Sequence, residues 1–508
     1  MALSRREFLA ASSAAALWPG LLQAQLASDT PFALGIASGY PHARGCTLWT
    51  RLTGLAASAQ LDPNGIPVEW EVARDEGFRD VAARGTARAL PRWGHSIHVD
   101  IDGLEPARPY WYRYTALGAR SAVGRTRTAP DGNADRLRLA LASCQQYEQG
   151  YYAAYRHMAR EPLDVVVHVG DYIYESSWGR QHVRAHGAPE PITLDDYRAR
   201  YALYKSDADL QAAHAAFPWI VTWDDHEVQN DYADDRSQFL EDRDVFLARR
   251  AAAYQAYYEH MPLPAWAQPR GPDMQLYTRV AYGDLALFHV LDGRQYKSHQ
   301  VCARPGRGGS NVVTATACPE RMDEALTFLG PRQEQWLQDG LHASRARWNV
   351  VAQQTLMAQS DRGPGAEQQF WTDGWDGYPK ARERLLRALA NERVRNPVVI
   401  GGDVHMAVVA DLKLDFDDPK SAVVATEFCG TSISSQGPAR RVVERIIANN
   451  PHIKLVNAER RGYTVLDITP QRCVATLRAL NNVRDPNSPI YDLATFGVED
   501  GKAGAVRV

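Results

Sequence analysis

Cysteine is scarce in this 508-residue chain: six in all, too few for a fold held together by disulfides. Net charge is scarce as well. Fifty-seven Lys and Arg stand against 60 Asp and Glu, a formal balance of −3, which excludes a broad basic field for stable binding of nucleic acid or anionic membranes. A phosphate-bearing ligand has to be held by local charge instead. No apolar run reaches the roughly 20 strongly hydrophobic residues that a membrane-spanning helix requires. Internal repeats, low-complexity tracts and heptad series are missing too. What remains is an ordinary globular composition, 45% hydrophobic and 23% charged, long enough for two to four domains.

The first residues form a targeting segment. Ser4-Arg5-Arg6-Glu7-Phe8-Leu9 precedes a modest, Ala-rich apolar stretch from Leu9 to Leu22, and Ala24 and Ala27 could each end a cleavage site. A twin Arg in this setting resembles a Tat signal, which implies that residues 1–27 are removed and that the Tat export machinery is a partner. The mature chain is then expected to be periplasmic or secreted, with no transmembrane anchor. In an oxidising compartment Cys302 and Cys318, which flank a Gly-rich loop, could form a disulfide or stay apart. Cys46, Cys473 and Cys429 read as small packing residues.

Residues 31–130 read as strands and turns. CTLWTRL, IPVEWEVAR, HSIHVDI and YWYRYTAL alternate with period two and are rich in β-branched and aromatic residues. Leu104-Glu105-Pro106 followed by Tyr110 resembles the tyrosine corner of an immunoglobulin-like or fibronectin-like sandwich. A turn-rich link from Thr128 to Asp135 marks the expected boundary. From residue 135 to 508 the pattern changes to apolar runs alternating with helical segments, which predicts an α/β layer architecture. The runs LRLALASC, DVVVHVGD, FPWIVTWDD, DLALFHVLDGR, WNVVAQQ and NPVVIGGDVH mostly finish in metal-competent residues. Ligands gather at strand ends in such sheets, so the repetition suggests one convergent site.

Three motifs carry chemistry. In GDYIYE, Asp171 follows a buried strand and Gly170, and Tyr174 is three residues on; a bridging carboxylate and a phenolate suit a hard ion such as ferric iron. In TWDDHE, Asp224, Asp225 and His226 are consecutive after FPWIV, and metal ligation satisfies such groups at a buried strand end. Asn230 stands where a zincin would need its second His. In GGDVHMA, Asp403 and His405 are two apart and share one side of an extended strand end. Taken singly, each motif also fits an ordinary turn.

Together, and in this order, the motifs resemble the calcineurin-like metallophosphoesterases, and more closely their PhoD-like alkaline phosphatase and phosphodiesterase family. Ser143-Cys144-Gln145, Gly170 to Glu175, Trp223 to Glu227, Leu291 to Tyr296, Trp375 to Pro379 and Gly402 to His405 carry the likeness over nearly the whole chain. The resemblance implies a four-layer β-sandwich flanked by helices, an α/β catalytic domain preceded by an immunoglobulin-like or fibronectin-like all-β domain. It implies a metal centre of Cys144, Asp171, Tyr174, Asp225, Asp403 and His405, with a thiolate in place of a more usual carboxylate. Gln354, after the QxxWL helix of Gln333 to Leu337, falls where relatives have a metal-binding His. A thiolate–phenolate site and an oxygen-only site imply Fe3+ beside Ca2+.

The activity so implied is hydrolysis of phosphate mono- or diesters through a metal-activated hydroxide or oxide, with His226 as proton or hydrogen-bond donor to the leaving group. Arg294 either holds a phosphate oxygen or forms a structural salt bridge. Asn230 and Asp231 either add oxygens to the calcium site or make a turn. Trp371 to Tyr378 is expected near the site as a lid or substrate wall, while His168 and His289 read as core residues. Phospholipase D-type hydrolysis is the alternative within the same family. Outside it stand a serine esterase using Gly430-Thr431-Ser432-Ile433-Ser434, which lacks the last Gly of G-x-S-x-G, and a non-catalytic binding protein.

Overall fold

The computed structural model describes residues 30–56 and 62–508. The twin-Arg segment, with Arg5, Arg6, Ala24 and Ala27, lies outside them. Among the described residues no helix is long and apolar enough to cross a membrane.

Two large sheets organise the chain. The first has ten strands, running in spatial order Val506–Arg507, Ile490–Glu499, Arg472–Leu480, Gly462–Ile468, Leu137–Ala142, Val165–His168, Pro218–Val221, Ile36–His42, Gly45–Arg51 and Ser96–Ile101. The second has seven: Thr278–Tyr282, Ala286–Val290, Trp348–Ala352, Pro397–Gly401, Val423–Cys429, Ala407–Lys413 and Ile453–Asn457. At the heart of each sheet are parallel strands, which need crossover connections and therefore bring helices with them.

Strand periodicity explains the layering. Val350, Ala352, Val398, Ile400, Val409 and Phe428 of the second sheet share one core with Leu139, Leu141, Val166 and Ile220 of the first. Their alternate neighbours Val351, Val399, Val408 and Ala410 point the other way, against Leu337 and Leu341 of helix Pro331–Ala343 and Leu385 and Leu386 of helix Pro379–Leu389. Helices Ala153–Met158, Leu194–Lys205, Ala208–Ala216 and Arg243–His260 bury Tyr155, Tyr201, Leu210 and Tyr254 in the core of the ten-stranded sheet. Two sheets between helices are the expected α/β arrangement.

The N-terminal part is all β. A five-stranded sheet built on Ile66–Ala73, Val81–Ala89 and Pro109–Ala116 packs Val68, Val72, Tyr112 and Tyr114 against Ile36, Leu48, Ile97 and Ile101. The tyrosine corner is present: Tyr110 OH accepts from Glu105 N (2.9 Å) and donates to Glu105 O (3.3 Å). One of the sandwich's two sheets is at the same time the end of the ten-stranded sheet, because Ser38 and Gly39 pair in parallel with Pro218 and Trp219. That continuity reaches across the turn-rich link at 128–135. It crosses two segments far apart in sequence, so local pattern carries no trace of it.

Candidate metal centre

Successive parallel strands end side by side, and their tips are tied by backbone bonds: Val169 N to Ala142 O, Thr222 N to His168 O, Gln353 N to Ile400 O, and Gly402 N to Gln354 O. The residues just beyond these tips meet. Ligand atoms of Cys144, Asp171 and His405 lie within 4.8 Å of one another, as do those of Asp171, Asp224 and Asp403, and those of Asp171, Asp225 and His226. Asp171 belongs to all three groups, the position of a bridging carboxylate. Tyr174 OH joins the first group, donating to Asp171 Oδ2 (2.8 Å) and lying 3.0 Å from His405 Nε2.

The backbone is bent sharply to achieve this. Cys144, Asp171, Asp403 and His405 have φ of 58°, 57°, 63° and 54°, in the left-handed region that side chains disfavour. Each such residue costs on the order of 1 kcal/mol, held by the surrounding structure. Gly170, at φ 109°, has no substitute: a Cβ there would stand 2.5 Å from Asp224 Cβ and 2.6 Å from Asp224 N. Glu227 braces the same turn, accepting from Asp171 N (3.2 Å), Tyr172 N (2.5 Å) and Asp224 N (2.8 Å).

The donor set fits a pair of cations. Asp171 Oδ1, Asp224 Oδ2, Asp225 Oδ1 and Asp403 Oδ2 are all buried without a hydrogen-bond partner, although buried polar atoms as a rule find one. Burial raises the Asp171 carboxyl to about 7 against the pull of His226. Burial, with their mutual repulsion, also lifts Asp224 and Asp403 well above the carboxylate range, despite Arg294. Cys144 and Tyr174 are pushed up by burial and then by Asp171. So many acids are not ionised together at one point by protein alone; bound cations reverse that balance. His405 is prepared as a neutral ligand: burial lowers it to about 3, and Nδ1 donates to Gln436 O (3.0 Å), leaving the Nε2 lone pair toward the site.

His226 has the opposite character. Burial alone would lower it, but Glu175, Asp225 and Asp171 outweigh burial and raise it well above its ordinary value. Its Nδ1 meets Glu175 Oε2 at 2.6 Å, and the ring borders an open cleft. The cleft, of about 540 Å³, has Asp225, His226, Asp403 and His405 on its floor. Trp178, Trp371, Val404, Met406, Val442 and Ile446 form an apolar wall. Trp178 stacks on His405 with ring centroids 5.4 Å apart.

Two expected site residues are placed differently. Gln354 is engaged by the scaffold: its Oε1 accepts from Gly293 N (3.0 Å), and its Nε2 donates to Thr222 Oγ1 (3.0 Å) and Leu291 O (2.7 Å). With both amide atoms engaged, it ties three strand tips together. Arg294 is not on the cleft wall. Its guanidinium donates to Asp224 Oδ1 and to Asp373 Oδ2 (2.7 Å) and lies 3.6 Å from Asp225, so it balances charge beneath the centre instead of reaching a phosphate. Asp373 is held in turn by Lys297 (2.8 Å) and Gln300 (2.7 Å), and the cations Arg294 and Lys297 keep it ionised despite burial.

Residues outside the ligand set that the resemblance implies complete the site. Asp224 reads with Asp225 and His226 as a candidate for metal ligation, although the resemblance carries over only Asp225 of the two carboxylates. Glu175 closes GDYIYE and was legible there as a third acidic group. Asp231, at φ 56°, accepts from Ser310 N (2.9 Å) and Oγ (2.5 Å), and its own N–H holds Asp225 Oδ2 (2.6 Å). Trp371 lines the cleft, whereas Trp375 and Tyr378 are core residues. His168 and His289 are buried, with pKa values lowered to about 3 and about 4 by burial. Ser432 Oγ is buried with no partner, which leaves a serine esterase without a base. Cys302 and Cys318 are joined as a disulfide.

Known proteins share this arrangement. The family model described as PhoD-like phosphatase matches residues 139–477, and that described as PhoD-like phosphatase, N-terminal domain, matches residues 15–130. Alkaline phosphatase D of Bacillus subtilis (strain 168) is 45% identical over 494 residues, 95% of this chain and 83% of that protein. A solved structure described as the structure of PhoD is similar with a TM-score of 0.88 at 44% identity, covering 94% of this chain and 92% of that one. With the matched segments spanning both the sandwich and the strand tips of the metal centre, the chain belongs to the PhoD-like phosphatase family.

Proposed function

We propose that this protein is an exported, metal-dependent hydrolase of phosphate esters, with Fe3+ and Ca2+ as its ions. The observation that carries the reading is the set of four buried, partnerless carboxylate oxygens gathered with a thiol, a phenol and a neutral imidazole beneath one cleft. Cys144, Tyr174, His405 and the shared Asp171 would hold the iron; Asp224, Asp225, Asp403 and the other oxygen of Asp171 would hold the calcium. When bound, such a pair neutralises phosphate charge and renders water nucleophilic near neutral pH.

The chain supplies the rest. Hydrolysis forms a P–O bond to water and breaks the ester P–O bond, so the departing alkoxide must gain a proton. His226, held charged and oriented by Glu175, presents its free Nε2 to the cleft for that purpose. Asp231 N–H fixes Asp225, Glu227 fixes the 171–172 turn, and Arg294 with Asp373 and Lys297 offsets the acid charge from below. The sequence places no serine or threonine in a convincing nucleophile motif, so no covalent phosphoenzyme is invoked. The twin Arg at residues 5 and 6 supports Tat export to the periplasm or beyond; Arg5→Lys/Arg6→Lys should retain the protein in the cytoplasm.

The deciding experiment is metal analysis of exported protein followed by assay on mono- and diesters. Iron and calcium bound together with ester hydrolysis, both lost in Asp171→Ala, is the expected result. A fully metal-free protein that is equally active, or a metal-loaded one inert to every phosphate ester, overturns the proposal.

A further inference from the structure

Apart from the metal centre, two guanidiniums reach the cleft wall. Arg307 is exposed, donates to Gln238 Oε1 and lies over the Phe239 ring at 5.0 Å. Arg362 is different. It is half-buried, its Nε is buried and finds no acceptor, and among the described residues it forms no ion pair. The backbone that presents it is fixed: Arg362 N donates to Gln369 O (3.0 Å), and Asp361 Oδ1 accepts from Gly363 N (2.8 Å) and Gln369 N (2.9 Å). Its guanidinium lies 5.9 Å from the centre of the Trp371 ring and close enough to Asp403 to feel that carboxylate. A second donor on the same cleft, Trp178 Nε1, is likewise buried without an acceptor.

Buried donors normally have acceptors, and a buried N–H without one is costly. Two such donors on the walls of one cleft call for an occupant rich in anionic oxygens. We propose that Arg362 is a substrate-binding residue that takes a terminal oxygen of the phosphoryl group and so favours phosphate monoesters over diesters. The inference rests on the phosphoesterase reading above. A monoester dianion spreads two charges over three terminal oxygens. A diester has one charge on two, and in place of the third it brings an ester oxygen and an organic arm. A partly desolvated guanidinium gains most from the dianion and is left partly unpaired by the arm. The apolar wall of Val404, Met406, Val442 and Ile446 accommodates the organic half of either substrate, so it does not discriminate between them.

The test compares wild type, Arg362→Gln and Arg362→Lys on p-nitrophenyl phosphate and bis(p-nitrophenyl) phosphate, which share a leaving group. Arg362→Gln should lower kcat/KM for the monoester about 10- to 100-fold and leave the diester nearly unchanged, as expected for one charge-assisted bond. Calorimetric binding of inorganic phosphate to the metal-loaded protein should weaken by a comparable factor, and Arg362→Lys should restore part of both losses. Because the side chain makes no ion pair, the apparent melting temperature should stay close to that of wild type. If Arg362→Gln nevertheless unfolds, Arg362→Lys must still show a loss confined to the monoester. Equal losses on both esters, no loss on either, or unchanged phosphate binding overturns the inference while leaving the phosphoesterase reading intact. Wild type inert to both esters removes that reading, and the inference with it.

Discussion

Glu175→Gln isolates the proton donor without touching a metal ligand. Glu175 is buried; its Oε2 accepts from His226 Nδ1 at 2.6 Å and its Oε1 from Asn230 N at 2.9 Å. Both partners are donors, so a glutamine can satisfy only one with its oxygen and must turn its NH2 toward the other. The charge that steadies the imidazolium disappears in either orientation. A hydrogen bond to a charged group contributes about 1.5–3 kcal/mol, which corresponds to a ~10- to 150-fold loss in rate when the leaving group needs the proton. An alkyl phosphate has such a leaving group; p-nitrophenolate departs without one. Steady-state kinetics on the two esters should therefore show a large loss for the alkyl ester and a change of only a few fold for p-nitrophenyl phosphate. The double variant His226→Ala/Glu175→Gln should be no worse than His226→Ala, because Glu175 acts through the ring. Equal losses on both esters, or additive losses in the double variant, would refute the role given to His226.

Three further perturbations separate ligands from struts and core. Cys144→Ser should lose most of its iron and the visible absorbance of a ferric thiolate–phenolate site, measured by elemental analysis and spectroscopy, while the far-ultraviolet dichroism stays native. Gln354→Ala should leave metal content unchanged but lower stability by about 1–3 kcal/mol, because Gly293 N and the tips it ties lose buried partners; depletion of metal would instead restore Gln354 as a ligand. Lys205, buried with its ammonium 4.2 Å from the centre of the Trp49 ring, has its pKa lowered to about 7 by burial, against about 10.4 in an unfolded chain. The folded state thus binds fewer protons between those values, so this stabilising contribution is complete above about pH 10.4 and is lost as pH falls through 7. Lys205→Met should raise the melting temperature at pH 7 and flatten its rise toward pH 9.5; an unchanged slope would count against the burial argument.

Much of the centre was legible because strand tips carry their ligands in contiguous words. GDYIYE, TWDDHE and GGDVHMA each deliver residues that the fold brings to one place, and Cys144, Asp171, Tyr174, Asp225, His226, Asp403 and His405 all sit where that order implies. The roles of Gln354 and Arg294 were not settled by the sequence, for a common reason. Each follows an apolar strand in the correct register, yet whether an amide or a guanidinium faces a ligand or its own scaffold depends on neighbours from other segments. For Gln354 those neighbours are Gly293, Thr222 and Leu291; for Arg294 they are Asp224 and Asp373. Arg362 had no motif to announce it, since its significance is that among the described residues it forms no ion pair.

Alternation and spacing determined the two kinds of layer, because side-chain direction along a strand follows from local geometry, whereas the tyrosine corner at Tyr110 and the ligand set for a cation pair were legible only through resemblance. Only the tertiary structure decided that the sandwich shares a sheet with the catalytic layers. It also decided which carboxylate oxygens remain without partners, and that Arg362 reaches the cleft wall with no ion pair among the described residues. Those outcomes depend on what distant segments place opposite a given atom, and a buried charge is worth what its surroundings make it.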